Sequence, residues 1–220
     1  MAQQQVTGQI GQTGPVATGA PGIPVRQSNY GDVVVSALNG RYYEQSVRGN
    51  VFIACQTAST AAIALAAGGA TLTLANPNNS GKNLVLLDLV LTIEAQTAAT
   101  QQLSFYLAGA VMGATQTFTT PLAAYSNVFV GTAASPTGKT SVSASFSNTA
   151  VPYRYICSIS QALTNTTGVV TICSVKDDIG GALIVPPGSY VGIYGLTGGT
   201  VGDASIAASL TWAELSSAIL

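Results

Sequence analysis

Polar and apolar positions along this chain alternate in short runs. In NLVLLDLVLTIE (residues 83–94), Val85, Leu87, Leu89, Leu91 and Ile93 share one face by period-two alternation, while Asp88, Thr92 and Glu94 share the other. ASIAASLTWAEL (204–215) sets Ile206, Leu210 and Trp212 against Ser205, Ser209 and Thr211. TSVSASF (140–146), GVVTICSV (168–175) and SYVGIYG (189–195) carry the Val, Ile, Tyr, Phe and Thr content of strands. NTTG (165–168) and PPGS (186–189) supply turn chemistry between them. About eight to ten short strands without a long amphipathic helix predict an all-β body, an antiparallel β-sandwich of jelly-roll type, over residues 41–220. ASTAAIALAAGG (58–69) reads equally as one short helix or an alanine-rich loop.

The pattern is different over residues 1–40, which read as an extended N-terminal arm. GQIGQTGPVATGAPGIPV (8–25) has no ionisable side chain and no apolar periodicity. Gly8, Gly11 and Gly14 keep a collagen spacing that breaks at Ala17, too early for a triple helix. GDVVVSALNG (31–40) is a short β-prone run between glycines. Arg26 is the one basic residue of the arm, so it cannot act as a phosphate-neutralising tail, and no nucleic-acid partner is expected. The start, MAQQQVTGQI, lacks the basic and apolar regions of a secretory signal, which points to folding in a cytoplasm. The most apolar windows, AAIALAAGGA (61–70) and LVLLDLVLTI (84–93), are about half as long as a spanning helix, so no membrane is expected either. A linker would need a folded domain ahead of it, and none is expected. An uncharged arm that orders against protein neighbours remains, with Ile10, Val16, Ile23, Val25 and Arg26 as its candidate docking residues.

Composition narrows the chemistry. Charged residues make up 7% of 220, against about 25% in ordinary soluble domains, so exposed surface must rely on Ser, Thr, Asn and Gln or be covered by other subunits. The chain has no histidine, which removes Ser-His and Cys-His pairs and most zinc and iron sites. Cys55, Cys157 and Cys173 show no metal-ligand spacing and are expected to be buried free thiols. ASPTGKTS, with Ala133, Gly138, Lys139 and Thr140, fits a relaxed phosphate-loop pattern, but a strand follows where a helix is required, so an ordinary polar turn is expected. Asp88 and Glu94 would stand roughly 20 Å apart along a strand, too far for a glycosidase pair. Lys176, Asp177 and Asp178 read as a solvated turn rather than part of a calcium site. No enzyme activity, cofactor or metal is expected.

Two segments carry a resemblance. LNGRYYEQSVRGNVF (38–52), and VPPGSYVGIYG with the terminal ASLTWAEL, resemble virion structural proteins of tailed bacteriophages, in particular small capsid decoration (cement) proteins with a jelly-roll body. The resemblance covers the body and its junction, not the arm. It implies a non-enzymatic protein on the outer capsid surface of the virion, assembled in the bacterial cytoplasm. Such a protein would form a homotrimer that binds neighbouring major capsid proteins and holds them together. Arg41, Tyr42 and Tyr43 are residue types common at interface hot spots, and they either cap the sandwich core or meet another subunit. Glu44 and Arg48 are a candidate ion pair across such a contact. The alternative is a tail-associated or receptor-binding protein; the lack of β-helical repeats or a coiled coil favours the capsid. A sugar-binding or sugar-cleaving module is the third class.

Overall fold

Period-two alternation yields strands only if something covers the apolar face, and here two sheets cover each other. The computed structural model describes residues 41–65, 69–95, 100–126, 135–162, 170–197 and 204–217. The chain divides into residues 1–43 and a unit Glu44–Leu220. The arm expected over 1–40, including GDVVVSALNG, lies outside the described residues, as does the turn NTTG.

A single helical turn, α1 (Tyr43–Val47), precedes β1 (Val51–Cys55). The first sheet runs in the order β12 (Val170–Val185), β5 (Lys82–Ala95), β14 (Ala204–Ser216), β1 and β8 (Ala124–Ser126), with β2 (Thr60–Ala61) also pairing with β14. The second runs β11 (Val151–Ala162), β6 (Thr100–Val111), β13 (Ser189–Thr197), β4 (Leu72–Ala75) and β9 (Lys139–Ser141). Every pairing within the sheets is antiparallel. The antiparallel β-sandwich is therefore present.

Between the sheets, Leu89, Leu91, Ile93, Leu210 and Trp212 of the first meet Leu72, Leu74, Phe105, Leu107 and Ile193 of the second. A third, small sheet, β3 (Gly69–Ala70), β10 (Ala144–Phe146) and β7 (Gln116–Phe118), covers the outer face of the second. There Phe146 stacks on Tyr190 with ring centroids 3.8 Å apart. β13 is thus buried on both faces, which accounts for the nearly unbroken apolar run SYVGIYG. The small sheet approaches so closely that a Cβ at Gly192 would collide with Ala70.

The central strand departs from simple alternation. Leu84 and Leu86 face the core ahead of Leu87, and Leu89, Leu91 and Ile93 face it afterwards, while Val85 is only half-buried. A bulge causes the change. On the β14 side, Thr211 pairs with Asp88 and Trp212 with Leu86, leaving Leu87 as an extra residue. On the β12 side, Asp178 pairs with Asp88 and Leu183 with Leu86, so Ile179–Ala182 loop out opposite Leu87. Gly180 and Gly181 make that excursion at φ 60° and 88°, a region that disfavours other residues. Val85 therefore leaves the face that strict alternation assigns it.

Other expectations change for similar local reasons. KDD is not a turn, because β12 runs through Lys176–Asp178 to Val185. TSVSASF is split between β9 and β10, which belong to different sheets. Among the described residues of ASTAAIALAAGG, 58–65 hold a two-residue strand, β2, and a bridge from Ala64 to Gly195, with no helix. Ser205 is fully buried, on the stretch of β14 that pairs with both β2 and β5. The thiols are less buried than expected: Cys55, at the end of β1, is exposed, and Cys157 and Cys173, on edge strands, are half-buried.

Trp212 is fully buried and packs on Phe52 with ring centroids 5.9 Å apart. Trp212→Ala should lower unfolding free energy by about 3–5 kcal/mol, read from urea denaturation followed by circular dichroism.

Candidate interaction surface

The even-numbered core positions of β14, Ile206, Ala208, Leu210 and Trp212, continue to Glu214. Period two therefore carries a carboxylate into the core, its side chain 0% exposed. Such a group survives burial only if its charge is matched. Lys82 Nζ reaches Oε2 at 2.9 Å, and the backbone N–H groups of Thr137 and Gly138 donate at 3.0 and 2.8 Å. Trp212 Nε1 lies 3.4 Å from Oε1. Burial by itself pushes the Glu214 pKa up, but the bonds from Gly138, Lys82 and Thr137 outweigh it and hold the carboxyl below its ordinary value.

This arrangement gives the GKT stretch its role. The amides of the preceding loop do face an anion, but that anion is the chain's own Glu214, and β9 begins at Lys139 with no helix. Gly138 is buried, and a Cβ there would lie 2.9 Å from Leu84 Cδ1. The stretch is a tether between the 135–138 loop and the core rather than a solvated turn.

The two edge strands β11 and β12 are cross-linked by side chains. Arg154 donates to Asp177 through Nε at 2.7 Å and Nη2 at 2.8 Å, a bidentate pair from one sheet to the other. Lys176 of β12 lies 3.9 Å from Asp88 of the neighbouring β5. Burial, with the charge of nearby Cys173 as a smaller cause, pushes the Cys157 thiol up to about 11. Among the described residues no three His, Cys, Asp or Glu side chains gather to hold a metal ion.

The notable exposure is apolar. Val111, Val151, Tyr153, Tyr155 and Ile184 account for five of the eight large hydrophobic side chains exposed among the described residues, and all five lie on β6, β11 or β12. Val111, Tyr153 and Ile184 rim a cleft of about 230 Å³ floored by Val185, Tyr190 and Val191. The bulge between Pro152 and Arg154 leaves Tyr153 outside the ladder, and Pro152 removes a backbone donor from the strand. The edge therefore presents side chains better than backbone.

Of the sequence candidates, Ile10, Val16, Ile23, Val25 and Arg26 lie outside the described residues. Arg41 lies with its guanidinium 5.4 Å from the Tyr42 ring centroid, and Tyr42 is half-buried. Tyr43, at the start of α1, is 53% exposed. Sequence reasoning did not single out Glu214, Tyr153 or Ile184. Continuing the alternation past Trp212 finds Glu214. The apolar and aromatic Val151, Tyr153 and Tyr155 around Pro152 mark an edge strand, and the bulge at Tyr153 puts Tyr155 beside Tyr106 on the opposite sheet face from Val151. Comparison with known protein families, curated proteins and solved structures finds no match.

Two outcomes follow from these contacts. The folded-state pKa of Glu214 lies below the unfolded one, so its stabilisation is present above about pH 4.5 and is lost as pH falls through the folded pKa. Glu214→Gln should be less stable by about 1.5–3 kcal/mol at neutral pH, and urea titrations should show it losing less on acidification than the parent chain. An identical acid profile in both proteins would contradict the tether. In iodoacetamide labelling of the native protein at pH 8, Cys55 should react first and Cys157 last, as mass spectrometry of peptides would show.

Proposed function

We propose that this chain is a non-enzymatic virion structural protein of a tailed bacteriophage, a capsid decoration protein binding across neighbouring major capsid proteins. The observation that carries this reading is the strand order. Counting only β1, β4, β5, β6, β11, β12, β13 and β14 as strands one to eight, the sheets read 6-3-8-1 and 5-4-7-2. We read that order as the double Greek key of a jelly roll, an architecture common among viral capsid domains. The low charge, the exposed apolar side chains along β11 and β12, and the resemblance of residues 38–52, 185–195 and 208–215 support the same reading. Fold alone does not assign function, so the binding claim needs its own test.

On this reading the protein is a homotrimer, and residues 1–40 contribute Ile10, Val16, Ile23, Val25 and Arg26 to the capsid contact, with Arg41, Tyr42 and Tyr43 at the junction. It acts without cofactor, nucleic acid or membrane.

Removal of residues 1–30 should leave a body with the circular dichroism and urea midpoint of the full chain that no longer co-sediments with phage heads. Retention at the affinity of the full chain would show that the arm is not the anchor. Binding to isolated tails and not to heads would favour a tail-associated protein.

A further inference from the structure

Residues 119–122 and 140–143 lie side by side and then part. Thr119 N–H donates to the Ser143 carbonyl at 2.8 Å, and Val142 and Leu122 N–H donate to the Thr120 and Thr140 carbonyls at 3.0 Å each. Past Leu122, one segment continues into β8, which pairs with β1. The other begins β9 and is preceded by the 135–138 loop that Glu214 holds. Between them is a pocket of about 440 Å³, lined by Phe118, Pro121, Leu122, Pro136 and Lys139 among others. That volume falls within the roughly 300–1,000 Å³ of small-molecule sites.

The pocket is fixed in shape. Thr140 Oγ1 donates to the Leu122 carbonyl at 3.1 Å, and Thr137 and Gly138 are clamped to Glu214. Pro121 and Pro136 stiffen opposite walls.

Its one charged lining residue among those described is Lys139. Lys82, Arg154 and Lys176 each face a carboxylate of this chain. Among the described residues Lys139 has no such partner; its Nζ lies 5.8 Å from the Phe118 ring centroid. Register agrees with that placement, since Lys139 pairs with Ala75 of the outer apolar cluster on which Phe118 packs. A ring contact leaves ammonium N–H donors for an acceptor.

These features select the ligand. Apolar walls with one cation call for an apolar body carrying one anionic group. A phosphate needs several converging donors, and the nearby Thr137 and Gly138 amides are already spent on Glu214. An extended peptide needs backbone partners, and those of Leu122 and Thr140 are spent on each other.

We propose that this pocket binds a small monocarboxylate with an apolar body, its carboxylate on Lys139 Nζ and its body against Phe118, Pro121, Leu122 and Pro136. The site is independent of the capsid reading.

The test is amide NMR of the isotope-labelled full chain titrated with 3-phenylpropionate and, separately, with its neutral counterpart 3-phenylpropanamide. The side chain of Lys139 is exposed, so Lys139→Met and Lys139→Arg are suitable variants. The acid should shift the amides of 118–124 and 137–140 saturably and bind about tenfold more tightly than the neutral compound, as a charge-assisted bond implies. Lys139→Met should lose that preference and Lys139→Arg should keep it. Absence of saturable shifts at these amides, equal binding of the two compounds to the parent chain, or a preference that survives in Lys139→Met would overturn the site.

Discussion

One extra residue in the central strand sets the pattern of burial in this sandwich. β5 lies between β12 and β14, and each neighbour must pair with it while keeping its own apolar residues on the core side. Leu87 is the insertion that makes both possible. On one side of it Leu84 and Leu86 point inward; on the other Leu89, Leu91 and Ile93 do. Without the insertion, one half of the strand would turn its leucines to the outer face, since a shift of one residue exchanges the faces. β12 meets the same point with the excursion Ile179–Ala182, whose glycines adopt backbone angles unsuited to larger residues.

The insertion also determines what happens at the end of β14. Because the slip is taken up in β5, the alternation of β14 continues unbroken from Ile206 to Glu214 and delivers a carboxylate to the core. The cost of burying that charge is offset by Lys82 and by the amides of Thr137 and Gly138. The loop before β9 is thereby fixed to the sandwich, and Gly138 fits under Leu84 and Leu74 because it has no side chain. A motif that looks like a phosphate loop in the sequence is an internal anion clamp in the structure. Its amides make the same kind of bond to a different, built-in partner.

Much of the architecture could be read from residue patterns. Trp212, Leu210 and Ile206 share the core face as alternation requires, and PPGS forms a turn, with the Ser189 N–H donating to the Pro186 carbonyl at 3.2 Å. Where the pattern misled, the reason is a tertiary contact that no window of sequence contains. Val85 was displaced by a bulge shared by three strands. Asp177 sits mid-strand because Arg154, 23 residues earlier, meets it across the sandwich edge. Ser205 looks solvent-facing by alternation, yet it is fully buried where β14 pairs with both β2 and β5. The exposed apolar side chains of β11 and β12 were the least legible, because exposure of Tyr153 and Ile184 depends on which strands end the sheets.

The functional account joins three observations: an antiparallel β-sandwich, a sequence with few charges, and exposed apolar side chains along β6, β11 and β12. They support the proposal of a protein covered by protein neighbours on the outside of a phage head. Reconstruction of intact particles by electron cryomicroscopy, with the chain labelled, tests this most directly. The account predicts many copies distributed over the shell, each seated where major capsid subunits meet. A few copies at a single vertex or along the tail, or none on the particle, would contradict it.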